Sequence, residues 1–200
     1  MKDLNQLRDK AYQCAVAHGW HEENLSDEHF LCLVISELME AVDAERKGRY
    51  ASKDRFVREF EYIVTEQRLR NDAYDVAYIL VFDKYIKDTV EDELADACIR
   101  IFDLAGLRKI NLSDISFPIY NSDDHKNSRK SLTFTEWVYD VTRVISGFNK
   151  NNYPIGYLFV GILQEICCKA ELIGFDILWH IDQKMKYNEL RPYKHGDKSY

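Results

Sequence analysis

Apolar residues recur at steps of three and four along nearly the whole chain, and little interrupts them. In "LNQLRDKAYQCAVAHGW", Leu4, Leu7, Ala11 and Ala15 fall on one side of a 3.6-residue helix, and Gly19 is a natural stop. Only 3 prolines and 8 glycines are spread over 200 residues, so long helices meet few breakers. There are no convincing strand pairs, no low-complexity region and no exact repeat. The pattern selects an all-α helical bundle, and the length suits a single domain with a sizeable core.

Capping signals divide the pattern. Ser26 caps a helix that runs through "DEHFLCLVISELMEAVDAERKG" to Gly48, with Asp27 and Glu28 in its first turn. Asp54 to about Asn71 reads as another helix, and Ala73 to Lys87 as one more. Thr89, with Asp92 three residues on, fits a loose capping box opening "VEDELADACIRIFDLAGLRK". Residues 110–132 break the periodicity and read as a long loop joining two helical halves. Thr133 or Thr135 caps "FTEWVYDVTRVISGF", and Pro154 suits the first turn of "PIGYLFVGILQEICCKAELIG". Asp176 opens the last helix, which should end near Leu190 because Pro192 disfavours helical geometry before it.

Charge and cysteine use narrow the classes of function. A formal net charge of -7 argues against a nucleic-acid polymer as partner, since polymer binding needs a basic face that displaces counterions. It does not exclude a small phosphorylated ligand held by a local basic cluster. Cys14, Cys32, Cys98, Cys167 and Cys168 form no CxxC pair, which reads as reduced thiols, mostly core filler, in a cytoplasmic protein. The polar N-terminus is neither signal nor anchor, and "GYLFVGILQEICC" is too short to span a bilayer, so no membrane association is expected.

Two acidic pairs carry the chemistry. Glu37-Leu-Met-Glu40 and Glu93-Leu-Ala-Asp96 each place carboxylates at i and i+3, on neighbouring positions of one helix face. Glu37 shares its side with Leu33, Ala41 and Ala44; Glu93 shares its side with Val90, Ala97 and Leu104. Both pairs therefore lie on or beside stripes that should face the core. Carboxylates gathered there repel one another and lose hydration unless a cation neutralises them. A hard divalent ion that prefers oxygen ligands, Mg²⁺ or Mn²⁺, would do so. Arg100 falls on the same face as Glu93 and Asp96, so an internal salt-bridge network is a rival explanation.

The C-terminal helix carries an opposite signal. Lys184, Asn188 and Arg191 are spaced i, i+4, i+7 and continue the apolar stripe of Ile177 and Ile181. A point charge, a neutral hydrogen-bonder and a planar fork on one stripe make a polyphosphate clamp. An ordinary basic helix end favoured by the dipole is the plainer account. Lys186 points the other way and should face solvent. Lys194 lies beyond the Pro192 break, on a segment that could fold over a ligand.

"SELMEA…EDELADA" resembles the ExxE…ExxD signature of the all-α nucleoside triphosphate pyrophosphohydrolases, the MazG-like and dimeric dUTPase-like superfamily. "KMKYNELRPYKHGDKSY" is similar to the lysine–asparagine–arginine and tyrosine–lysine–x–glycine tail of the dimeric dUTPase-like branch. The resemblance implies Glu37, Glu40, Glu93 and Asp96 as Mg²⁺ ligands. It implies Lys184, Asn188, Arg191, Lys194 and Tyr200 as phosphate contacts, and a homodimer or higher homo-oligomer. Two departures stand out. Ser36 occupies a place where many relatives carry a further Glu. The interval between Glu40 and Glu93 is long, so residues 49–88 read as an insertion.

The expected reaction is Mg²⁺-dependent hydrolysis of a nucleoside triphosphate at the α–β linkage, giving a monophosphate and pyrophosphate. Glu37 or Glu40 would position or deprotonate the water, and the tail cations would stabilise the departing pyrophosphate. His18, Trp20 and His21 precede the acidic helix and are candidates for stacking on the base, although ordinary packing accounts for Trp20 as well. Glu165 and Lys169 read as an i,i+4 salt bridge or a degenerate echo of the acidic pairs. A catalytically silent nucleotide-binding protein with the same pockets is the alternative. A redox-active carboxylate-bridged bundle is weakened because neither acidic helix carries a Glu-x-x-His pair.

Overall fold

The computed structural model describes residues 3–67, 71–115 and 123–194, and every regular element among them is an α-helix. These are α1 (Leu4–Ala17), α2 (Asp27–Arg46), α3 (Lys53–Gln67), α4 (Asn71–Tyr85), α5 (Val90–Leu107), α6 (Asp123–Lys130), α7 (Phe134–Ser146), α8 (Ile155–Ile173) and α9 (Ile177–Glu189). The all-α expectation is met, and no helix among the described residues is long and apolar enough to cross a membrane.

The caps form where the side chains dictate. Ser26 accepts from the His29 N–H, Asp176 from the Trp179 N–H, and Thr133 makes a full capping box with Glu136. Thr89 accepts from the Asp92 N–H, but the Asp92 carboxylate reaches past Thr89 to the N–H of Asp88, at 3.1 Å. Asp88 takes a left-handed backbone, φ 57°, which aspartate tolerates better than most side chains.

α5 is the axis of the bundle. Thirteen of its 18 residues are buried, because it packs against α2, α1, α9 and α8 around its circumference. Where it meets α1, Gly106 lets the Tyr12 side chain lie directly on its backbone. Trp137, Val138 and Phe159 of α7 and α8 belong to the same apolar cluster as Val34, Leu38, Leu94 and Ile101 of α2 and α5. The expected two halves thus share one core.

A satellite core lies under α3 and α4. Phe56, Tyr78, Val81, Phe82 and Ile86 close on Tyr187 of α9, with the Phe82 and Tyr187 rings stacked at 4.4 Å. The Tyr78 hydroxyl donates to the Gln183 carbonyl at 2.8 Å, and the Tyr187 hydroxyl to Asp83 at 2.8 Å. α3 and α4 are therefore a helical pair braced on α9.

Several expectations need correction. The stretch 110–132 contains helix α6, whose Asp123 and Asp124 sit in its first turn and Arg129 and Lys130 in its last. That arrangement suits the helix dipole without any apolar stripe. Lys186 does not face solvent: its ammonium lies 4.1 Å from the Tyr78 ring, 4.5 Å from Tyr74 and 5.5 Å from Phe60. Glu165 pairs with Arg129 at 2.8 Å and accepts from the Trp137 indole, while Lys169 donates to the Leu132 carbonyl. All five cysteines are free thiols, but only Cys98 and Cys168 are buried; Cys32 and Cys167 are exposed.

Candidate functional site

A cavity of about 470 Å³ opens between α1, α2, α5 and α9. α2 presents Glu37 and Glu40 to it, α5 presents Glu93, Asp96 and Arg100, and α9 presents Lys184 and Asn188, with Arg191 just past its C-cap. Each set sits there because its helix buries an adjacent apolar stripe: Val34, Leu38 and Ala41 on α2, Leu94, Ala97 and Ile101 on α5, Ile177, Ile181 and Met185 on α9.

Glu37, Glu93 and Asp96 converge. One carboxylate oxygen from each lies within 4.8 Å of the others, close enough for a single metal ion. Glu40 lines the cavity but stands outside this trio; it is exposed and accepts from the Ser36 hydroxyl at 3.4 Å. Burial, with Asp96 next to it, pushes the Glu37 carboxyl up to about 7. Burial, then Asp92 and Asp96, pushes Glu93 up to about 9. Both shifts come first from loss of hydration and then from neighbouring carboxylates, and a cation seated among them would oppose both.

Two protein cations meet part of that demand. Arg100 donates from Nε to Glu37 Oε1 at 3.0 Å. Lys184 lies 2.8 Å from Asp92 Oδ2 and 2.8 Å from Asp96 Oδ2. Burial pulls on the Lys184 ammonium, but Asp96 and Asp92 outweigh it and hold its pKa well above the usual lysine range. Arg100, expected beside Glu93 and Asp96 on its own helix, pairs instead with Glu37 on α2, while Lys184 takes Asp96, so ion pairs engage two acids of the expected metal site.

Lys184, Asn188 and Arg191 line the cavity together, and the Asn188 Oδ1 has no hydrogen-bond partner among the described residues. Lys194 lies off the cavity wall, paired with Glu22 at 2.6 Å. Tyr200 lies outside the described residues. His18 and Trp20 line the cavity; the His18 ring meets the Cys14 carbonyl at 2.8 Å and the Arg191 carbonyl at 2.9 Å, tying α1 to the end of α9. His21 is not on the cavity wall. It is buried against Asp103 at 2.6 Å, with the Tyr12 and Phe30 rings beside it.

Sequence reasoning missed Asp92, Lys87 and Asp88. Asp92, 1% exposed, is read completely by its helix-cap position, so nothing local marks it as the partner of a residue 92 positions away. Lys87 and Asp88 line the cavity from the α4–α5 turn, beyond any helical periodicity. No family model, no curated protein and no solved structure matches the chain.

Proposed function

We propose that the chain is a Mg²⁺-dependent nucleoside triphosphate pyrophosphohydrolase of the MazG-like and dimeric dUTPase-like kind, cleaving the α–β linkage to a monophosphate and pyrophosphate. The observation that carries this reading is the meeting of Glu37, Glu93 and Asp96 on the wall of a cavity that Lys184, Asn188 and Arg191 also line. An acid cluster beside a cation–amide–cation row is a complement for a metal–polyphosphate complex.

The donor set fits Mg²⁺, and Mn²⁺ as its substitute, because it consists of hard carboxylate oxygens gathered within reach of one ion. Glu37, Glu93 and Asp96 would hold the ion, with Glu40 within the same cavity to join them. When bound, it supplies Lewis-acid chemistry: it neutralises phosphate charge and makes water more acidic. Glu37 or Glu40 takes the proton of the attacking water. Lys184 and Arg191 hold the departing pyrophosphate oxygens, and Asn188 donates a neutral hydrogen bond to them. His18 and Trp20 are the wall residues available to the base. A cytoplasmic homodimer or higher oligomer belongs to the same reading, as does the role of residues 49–88 as an insertion.

The test is a panel of nucleoside triphosphates incubated with Mg²⁺ and assayed for pyrophosphate. Cleavage of at least one member, abolished in Glu93→Gln, is the expected result. No cleavage of any member would sink the enzyme. One observation favours a second reading, a catalytically silent nucleotide-binding protein: Arg100 on Glu37 and Lys184 on Asp96 already neutralise two of the three acids. That reading predicts triphosphate binding without turnover.

A further inference from the structure

We propose that Asp92 is the positioning residue that anchors Lys184 for a substrate phosphate. The inference rests on the function proposed above and goes beyond its motif residues.

The two carboxylates that hold Lys184 are not equivalent. Asp96 faces the cavity and belongs to the acid trio. Asp92 is buried and does not line the cavity. A divalent cation on Asp96 would take that carboxylate from Lys184 and repel the ammonium at close range. Lysine is a point charge on a flexible stem, so it swings away from such a neighbour unless something holds it. Asp92 pulls on it from within the protein, where attraction between charges is strongest.

Asp92 is itself held. Its Oδ2, the oxygen that meets Lys184, also accepts the Asp88 N–H at 3.1 Å, and its own N–H donates to Thr89 Oγ1 at 3.3 Å. It stands in the first turn of α5, where the helix dipole favours a carboxylate. The Lys184 head is flanked by the Phe82 and Tyr187 rings at 5.8 and 5.7 Å. With two of its three N–H groups on carboxylates, the third remains for a phosphate oxygen. A buried ion pair is by itself weak evidence for stability. This one fixes where a cation stands on the cavity wall.

The test compares the full-length wild type with Asp92→Asn, Lys184→Met and the double variant. Calorimetry measures binding of Mn²⁺ alone, of a non-hydrolysable nucleoside triphosphate with Mg²⁺, and of the matching nucleoside. Asp92→Asn should lose about tenfold or more in triphosphate affinity. Nucleoside and Mn²⁺ affinities should stay within about twofold. Adding Asp92→Asn to Lys184→Met should cost nothing further, because the anchor then has nothing to hold. A loss of equal size for all three ligands would mark a purely structural role and overturn the proposal. So would a further loss in the double variant, which decides the matter even where Asp92→Asn alone does not fold. A wild type that binds triphosphate, with Asp92→Asn indistinguishable from it, overturns this inference alone. A wild type that takes no triphosphate overturns the functional reading and this inference together.

Discussion

Arg100 holds Glu37 by an Nε–Oε1 contact of 3.0 Å across the α2–α5 interface, a third of its side chain exposed against a tenth for the carboxylate. The guanidinium thus neutralises, from the cavity rim, an acid that also belongs to the metal-competent trio. A divalent ion seated on the trio would compete with the arginine for the same oxygens.

That competition gives a first prediction. Arg100→Gln should lower the thermal midpoint measured without divalent ions, because Glu37 is left beside Glu93 and Asp96 with no counter-charge. Adding Mn²⁺ or Mg²⁺ should then raise the midpoint by more than it does in the wild type, since ligand that binds only the folded state stabilises it. Differential scanning fluorimetry with and without the ion reads both effects. An equal ion-induced rise in the two proteins would mean that Arg100 and the ion do not share Glu37.

The raised carboxyl pKa values predict how stability responds to pH. Glu37 moves from 4.5 to about 7, and Glu93 from 4.5 to about 9. In the folded state both groups keep protons that the unfolded chain gives up. Their contribution is intact below about pH 4.5 and is lost as pH rises, through about 7 for Glu37 and about 9 for Glu93. Chemical denaturation in chelator should therefore show stability declining across this window, by an amount on the order of a few kcal/mol. Glu93→Gln should flatten the upper part of the decline. A flat profile in the wild type would mean that the trio is not short of positive charge.

Glu37, Glu93 and Asp96 were legible because they lie on or beside apolar stripes, and a stripe tells which way a side chain points before any partner is known; Glu40, at the edge of its stripe, is exposed and stands outside the trio. The same logic put Lys184, Asn188 and Arg191 on one side, and all three line the cavity. It failed for Lys186, whose aromatic neighbours come from a helical pair more than a hundred residues earlier in the chain, a contact that leaves no periodic trace on α9. It failed for α6 because "DDHKNSRK" has no apolar face, and only its end charges signal a helix. Asp92 was hidden by a sufficient local explanation: a residue that satisfies a cap asks for no other role. His21, a candidate for stacking on the base, is instead closed on Asp103.

The α1–α5 contact predicts the effect of one methyl group. A Cβ at Gly106 would lie 2.5 Å from Tyr12 Cβ and 3.3 Å from the Arg8 carbonyl oxygen. Alanine in a helix gains about 1 kcal/mol over glycine, whereas overpacking of a tight interface costs about 1–3 kcal/mol. Because the clash is with a Cβ and a backbone atom, neither of which can swing aside, the clash should win. Gly106→Ala is expected to lower stability in urea denaturation. A gain would show that α1 can slide away from α5 at little cost.

The last prediction concerns the brace on α9. Lys186 sits over the rings of Tyr78, Tyr74 and Phe60, and donates to the Tyr74 hydroxyl at 3.3 Å. Lys186→Met keeps an apolar stem of similar length but removes the charge and its N–H donors, so it deletes the cation–π attraction, worth about 1–2 kcal/mol in a partly desolvated setting, together with the hydrogen bond to Tyr74. The loss should be local, because the rings belong to the satellite core of α3 and α4 and not to the cluster around Trp137. Hydrogen exchange followed by mass spectrometry should show faster exchange across residues 53–85 and unchanged protection in α7. If the brace also steadies Lys184 and Asn188, which share α9, triphosphate affinity should fall by a few-fold in the same variant. Unchanged exchange in α3 and α4 would mean that the ring stack of Phe82 on Tyr187 holds the helical pair without help from the lysine.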